Sequence, residues 1–320
     1  MEQKENQNNP DILFEVSWEV CNKVGGIYAV LTSKCEEVLH QFGERYIFIG
    51  PDIWREDHDN PDFIEDNTLY LGWKEHVFAG GMKFRTGRWN IPGNPQVIMI
   101  DFTPLIPKKD EIFSKAWEDY RLDSLTGGWD YIEASLFGYA AGMVIKSFSE
   151  YYRFKQVVAQ FHEWMSGMGV LYIEKESPYI ATVFTTHATT IGRSIAGNGL
   201  PLYEKIEEYS GDEMAAHLGV IAKHSLEKLS AAHADQFTTV SEITAEECSH
   251  FLGRSPSLIT PNGFNPNLIP EPQKLLEQRV VVRQKLENVA KAVFGYEISD
   301  QCLIIGTSGR YEFRNKGVDV

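Results

Sequence analysis

One feature constrains the fold more than any other: short stretches of β-branched and aromatic residues alternate with helix-length stretches along the chain. The short stretches fall at 12–18, 45–50, 96–101, 156–161, 179–186, 236–241, 257–261 and 303–308. Helical spacing is expected over 27–40, 129–149, 164–175, 213–233, 242–251 and 273–294. Strands separated in this way need crossover connections, and crossovers through helices build a parallel sheet with helices on its faces. Within 213–233, Met214, Leu218, Ile221, Ala222, Leu226 and Leu229 recur at helical spacing and predict a buried stripe. Ser241 and Thr244 are placed to cap the helix that follows 236–241. The acidic region 51–95 shows no clear period and is expected to form excursions and short hairpins over the sheet. The Pro- and Asn-rich 264–275 reads as a crossover loop.

A chain of 320 residues has room for one large α/β domain or two smaller ones. Its 43% hydrophobic and 23% charged residues are ordinary for a globular protein. The net charge of −15 disfavours nucleic acid and anionic membrane surfaces as partners, because such surfaces select a basic stripe. Cys21, Cys35, Cys248 and Cys302 have no CxxC-type spacing, so neither a disulfide framework nor a zinc knuckle is expected. Residues 1–10 read as a polar, frayed tail without the apolar run of a signal peptide, and the most apolar stretch, 136–145, is too short to span a bilayer. These features point to a reduced, cytoplasmic protein.

Four clusters at the ends of predicted strands carry the chemistry. Lys23-Val24-Gly25-Gly26 lies between the first strand and a helix, where ligands of open α/β sheets bind. Glycines there let backbone approach a ligand, and the helix N-terminus offers N–H groups to a phosphate; the alternative is a plain left-handed turn. The spacing is neither GxGxxG nor GxxxxGK[ST], which disfavours a dinucleotide oxidoreductase and excludes a P-loop. His162, in Gln160-Phe161-His162-Glu163-Trp164, is placed either to bond a sugar hydroxyl or to act as a capping or core histidine. His187 and Arg193, in 185–193, are placed to face the crevice, Arg193 toward an anion; the alternative is a surface arginine beside threonine turn-caps. Arg310 and Lys316 flank the turn in Gly309-Arg310-Tyr311-Glu312-Phe313-Arg314-Asn315-Lys316-Gly317, suited to clamp a diphosphate; the alternative is a solvated basic loop. His217 and His224 lie seven apart on one predicted face, and no cysteine or carboxylate completes a metal site.

Together these segments resemble the N-terminal part of the glycogen synthase family of animal and fungal type. The resemblance is carried by LFEVSWEVCNKVGGIYAVLTSK (13–34), GRWNIPG (87–93), VAQFHEWMSGMGV (158–170), ATVFTTHATTIGRSIAG (181–197), FTTVSEITAEE (237–247), ITPNGFN (259–265) and GRYEFRNKGVDV (309–320). It implies a GT-B fold, two Rossmann-like domains facing across a cleft. It also implies transfer of glucose from UDP-glucose to the non-reducing 4-hydroxyl of an α-1,4-glucan, with retention and without a metal or other cofactor. On that resemblance residues 11–295 form the N-terminal, acceptor-side doubly wound domain, and 296–320 open the nucleotide-sugar domain, whose remainder is absent. Lys23, Gly25 and Gly26 border the donor phosphate and sugar, His162 and His187 line the glucose pocket, and Arg193 faces phosphate. Arg310 and Lys316 neutralise the departing UDP diphosphate. The expected protein is a truncated form, inactive alone, of a simpler bacterial member; homo-oligomerisation is left open. The competing readings are an ADP-glucose starch synthase of the same fold and a non-catalytic glucan- or nucleotide-binding fragment.

Overall fold

A computed structural model describes residues 9–54, 60–78, 83–264, 266, 269–299 and 301–306. In chain order the elements are β1 (Ile12–Val16), α1 (Gly26–Phe42), β2 (Tyr46–Pro51), β3 (Phe63–Glu65), α2 (Leu71–Phe78), β4 (Lys83–Trp89), β5 (Gln96–Asp101), α3 (Lys109–Tyr120), α4 (Trp129–Tyr152), β6 (Val157–His162), α5 (Met168–Glu176), β7 (Ala181–Thr186), α6 (Thr190–Gly197), α7 (Gly211–His217), α8 (Ile221–His233), β8 (Gln236–Thr239), α9 (Glu242–Glu247), β9 (Leu258–Ile259) and α10 (Pro272–Phe294). The chain divides into two compact units, residues up to Gly263 and residues from Phe264 onward.

The first unit holds a nine-stranded sheet in the order β3-β4-β5-β2-β1-β6-β7-β8-β9. All pairs from β5 through β2, β1, β6, β7 and β8 to β9 are parallel, while β3–β4 and β4–β5 are antiparallel. The α/β class expected from the alternation is therefore the one observed. The excursion at 51–95 differs from expectation. Instead of lying over the sheet, β3 and β4 extend it at one edge, and Phe84 and Trp89 contribute buried rings to its two faces.

Alternation along the strands feeds two cores. Ile12, Phe14 and Val16 of β1 pack with Phe137, Ala141, Val144 and Phe148 of α4. On the opposite face, Tyr46 and Phe48 of β2 and Val97 and Met99 of β5 meet Ile27, Leu31 and Cys35 of α1. Strands buried on both faces read as near-continuous apolar runs, which is why they were legible in the sequence.

Other boundaries shift for local reasons. The predicted helix 213–233 is two helices, because Gly219 adopts a positive φ of 70° between α7 and α8. His217 and His224 consequently sit on different helices, and His224 Nε2 lies 3.1 Å from Asp212 Oδ1. Of the predicted stripe, Ala222 and Leu226 are buried and the other four members are partly buried. Ser241 caps α9 as expected, its hydroxyl accepting from Thr244 N. The predicted strand 303–308 is not a strand over 303–306, and 307–308 lie outside the described residues. A strand needs a neighbour to satisfy its backbone, and among the described residues the second unit supplies none. Among the described residues no helix is long and apolar enough to cross a membrane.

Candidate functional site

The connection after β1 returns through α1 to β2 on one side, while β6 pairs with β1 on the other. The strand order therefore reverses between β1 and β6. At such a point the loops leaving the carboxyl ends of the two strands part and open a crevice. Lys23, Gly25 and Gly26 follow β1, His162 ends β6, and His187 and Arg193 follow β7, the next strand along. Six of the eight residues singled out in the sequence thus share the carboxyl edge of three adjacent strands. Arg310 and Lys316 lie outside the described residues.

The glycine loop is held by a carboxylate that the sequence reading did not single out. Glu19 Oε2 accepts hydrogen bonds from Gly25 N at 3.0 Å and Tyr28 N at 2.7 Å, capping the start of α1. Two N–H groups at this helix end are therefore already paired with the protein's own anion. Burial raises the Glu19 carboxyl above its ordinary range, and nearby Glu163 adds to the rise while Arg193 opposes it. Those influences tie the loop after β1 to the groups after β6 and β7. Neither Gly25 nor Gly26 has a positive φ, so the loop is not a left-handed turn. A Cβ at Gly25 would sit 2.6 Å from Glu19 Oε1, whereas one at Gly26 would meet nothing within 4 Å. Lys23 is exposed, its Nζ 5.5 Å from the Tyr28 ring centre.

His162 is 2% exposed, and both ring nitrogens are engaged: Nε2 lies 2.6 Å from Glu15 Oε1 and Nδ1 3.0 Å from His187 Nε2. Glu15 is itself buried on β1, where it also meets Lys34 Nζ of α1 at 2.5 Å and the Tyr46 hydroxyl of β2. Burial alone would raise the Glu15 carboxyl, but the Lys34 ammonium and the His162 hydrogen bond hold it down at about 2. Burial pushes His162 below its ordinary value despite the opposing pull of Glu15. Burial, then the neighbouring His162, takes His187 down to about 3. His187 is half-buried and closes the row toward the strand ends.

Glu163 is the second carboxylate the sequence reading passed over, although it stands next to His162. Its φ of 64° and ψ of 165° lie in a region that is otherwise almost confined to glycine. The conformation is held on every side. Glu163 N donates to Thr185 O at 2.9 Å, and its own carbonyl accepts from Ser166 N at 3.1 Å. Its Oε1 accepts from His187 N at 2.9 Å, Ala188 N at 3.3 Å and Arg193 Nη2 at 3.2 Å. Arg193 remains 47% exposed, so its guanidinium is oriented by a buried carboxylate yet open to an incoming anion. Behind this layer Glu227, fully buried, accepts from Thr186 Oγ1 and Thr190 N, and burial together with Glu163 pushes its carboxyl up to about 7.

The strained backbone gives a sharp expectation. Glu163→Ala removes the carboxylate and keeps the strain, while Glu163→Gly removes both. Relief of the strain is worth about 1–3 kcal/mol. Extra unfolded-chain entropy takes back roughly 0.5–1 kcal/mol at a glycine. The glycine variant should therefore be the more stable of the two in urea unfolding. An alanine variant equal to or above it would show that the backbone there stores no strain.

Among the described residues no group of three or more His, Cys, Asp or Glu side chains is arranged to hold a metal ion. What the edge does offer is hydrogen-bond donors and acceptors for hydroxyls, a half-exposed guanidinium, a lysine and open backbone at Gly26.

Comparison with known proteins identifies the family of the chain. Rat (Rattus norvegicus) liver glycogen [starch] synthase is 31% identical over 316 residues, covering 97% of this chain and 44% of the rat protein. Glycogen [starch] synthase of Caenorhabditis elegans is 34% identical over 316 residues, covering 96% of this chain and 47% of the relative. The chain thus spans less than half the length of these curated relatives. Among solved structures, the catalytic domain of starch synthase IV from Arabidopsis thaliana, bound to ADP and acarbose, superposes with a TM-score of 0.44 at 16% identity, over 81% of this chain and 53% of that one. The family model described as glycogen synthase matches residues 15–320, nearly the whole sequence, and the chain belongs to the glycogen synthase family.

Proposed function

We propose that this chain forms the acceptor-side part of a retaining glucosyltransferase of the GT-B type. The enzyme moves glucose from UDP-glucose to the non-reducing 4-hydroxyl of an α-1,4-glucan, releases UDP and uses no metal. The observation that carries this reading is the family match over residues 15–320. In this reading residues 11–295 belong to the acceptor-side domain and 296–320 open the nucleotide-sugar domain. The enzyme works in the cytoplasm.

The proposed roles follow the chemistry of the step. As the bond to UDP breaks, negative charge grows on the diphosphate and positive charge on the sugar ring. Arg193, Lys23 and the open N–H groups at the start of α1 favour the first, with Arg310 and Lys316 proposed as its principal counter-charges. His187 faces the donor glucose, and His162 stands behind it. The test is incorporation of labelled glucose into glycogen by the full-length enzyme, from UDP-glucose and in parallel from ADP-glucose. Incorporation from UDP-glucose is expected. Binding of maltooligosaccharide without turnover by any form would reject the enzymatic reading, and preference for ADP-glucose would reject the proposed donor.

Gly26 gives a narrower test. A methyl group there projects into open space in the protein, so Gly26→Ala should leave the melting temperature unchanged. If the donor passes over this backbone, the same methyl should raise KM for UDP-glucose about tenfold, a loss of roughly 1.4 kcal/mol. An unaltered KM would place the donor elsewhere.

A further inference from the structure

Glu15 lies one strand away from His162, in the interior of the sheet, and no role above has been assigned to it. A carboxylate only accepts hydrogen bonds. Each of its three neighbours must therefore donate: the Lys34 ammonium, the Tyr46 hydroxyl and His162 Nε2–H. The charge of Glu15 is already matched by Lys34. An imidazolium at His162, 1% exposed at its side chain, would add a buried and unmatched positive charge. His162 is therefore neutral with its proton on Nε2, which leaves Nδ1 a bare lone pair. That lone pair faces His187 Nε2 at 3.0 Å, so His187 must supply the proton between them. His187, neutral in turn, has no proton left for Nδ1, and Nδ1 has no hydrogen-bond partner among the described residues.

We propose that Glu15 is a positioning residue: acting through His162 it fixes His187 as the Nε2–H tautomer and thereby presents the His187 Nδ1 lone pair, an acceptor only, at the carboxyl edge of the sheet. The group recognised there is a hydrogen-bond donor such as a ligand hydroxyl, and a ligand atom that can only accept is repelled. The bearing on glucose transfer rests on the reading of this crevice as a sugar site, but the tautomer itself does not. Were His162 to gain a second proton, the row would reverse and His187 would turn from acceptor to donor toward the crevice. The charged groups that face the pair are Glu15 on β1, Lys34 on α1, Glu19 after β1, Glu163 after β6 and Arg193 on α6.

The experiment is a long-range proton–nitrogen NMR spectrum of the 320-residue chain labelled with ¹⁵N at histidine, near pH 7 and without substrate, with His187→Gln used for assignment. Both rings should read as neutral, with Nε2 protonated and Nδ1 bare. In Glu15→Gln the side-chain amide both donates and accepts, so the two rings should lose the single tautomer and show mixed signals. Lys34→Met keeps the carboxylate and removes its cation. It should raise the pH at which His162 charges by about one unit or more. An Nδ1–H tautomer or an imidazolium at His162 in the unaltered chain overturns the proposal. So does a folded Glu15→Gln variant with unchanged tautomers, or a His162 titration unmoved in Lys34→Met. Because the spectra are read without substrate, failure of the transfer assay above leaves them intact, and the two readings fail separately.

Discussion

Glu15→Leu should lower the unfolding free energy by about 3–5 kcal/mol, the range expected when one member of a buried charged network is deleted. Lys34, 31% exposed, can turn its ammonium to water. The Tyr46 hydroxyl and His162 Nε2–H cannot, since both residues are buried and each would lose its acceptor. The pH dependence gives an independent figure. The Glu15 carboxyl has an ordinary value of 4.5 and is held at about 2 in the folded protein. A carboxyl depressed by folding contributes stability that is complete above its ordinary value and is lost as pH falls toward the folded one. The drop of this group alone is worth on the order of 3 kcal/mol. Urea titrations from pH 6 to pH 2 should therefore show the parent protein losing stability across this window more steeply than the variant. Equal slopes, or a loss below 1 kcal/mol at pH 6, would mean that the carboxylate is not held by Lys34 and His162.

Arg310→Ala in the full-length enzyme should reduce kcat by about 10²–10³-fold, or roughly 2.7–4 kcal/mol, with a much smaller change in KM for UDP-glucose. A fixed guanidinium beside a diphosphate acts most strongly when charge has accumulated on the leaving oxygens. Its loss therefore weighs on the transition state more than on the bound ground state. Lys at this position should restore part of the rate, since the charge returns without the paired donors of the guanidinium. Undiminished turnover by Arg310→Ala would remove this residue from the proposed leaving-group clamp and leave Lys316, Arg193, Lys23 and the start of α1 as the remaining counter-charges.

The two structural surprises have different causes. The hairpins expected over 51–95 read as lying over the sheet rather than in it because β3, the edge strand, is three residues long and its Ile64 is 51% exposed, so the usual alternation is weak. Glu15 and Glu163 escaped the sequence reading because a buried carboxylate has no periodic signature. Glu15 occupies a strand position that reads as an interruption of an apolar run, and its meaning depends on a lysine, a tyrosine and a histidine brought from other elements. The glycine loop shows the complementary case. Its position between strand and helix was plain, but that Glu19 would fold back onto Gly25 N and Tyr28 N was not. The break at Gly219 could have been suspected from the glycine itself, had the apolar stripe on both sides not suggested one helix.

The amino-acid sequence by itself determined the α/β class and the places where strands give way to loops, because those depend on runs of apolar side chains and on local turn chemistry. It also determined, through long ordered motifs, the family. Only the tertiary structure decided that β1 lies between β2 and β6, that His162 therefore reaches Glu15 on the neighbouring strand, and that Glu163 collects His187, Ala188 and Arg193 around a single oxygen. Hydrogen bonds and charge pairs act over a few ångströms in space, whatever the separation along the chain, so which residues share a proton is settled by strand order and register.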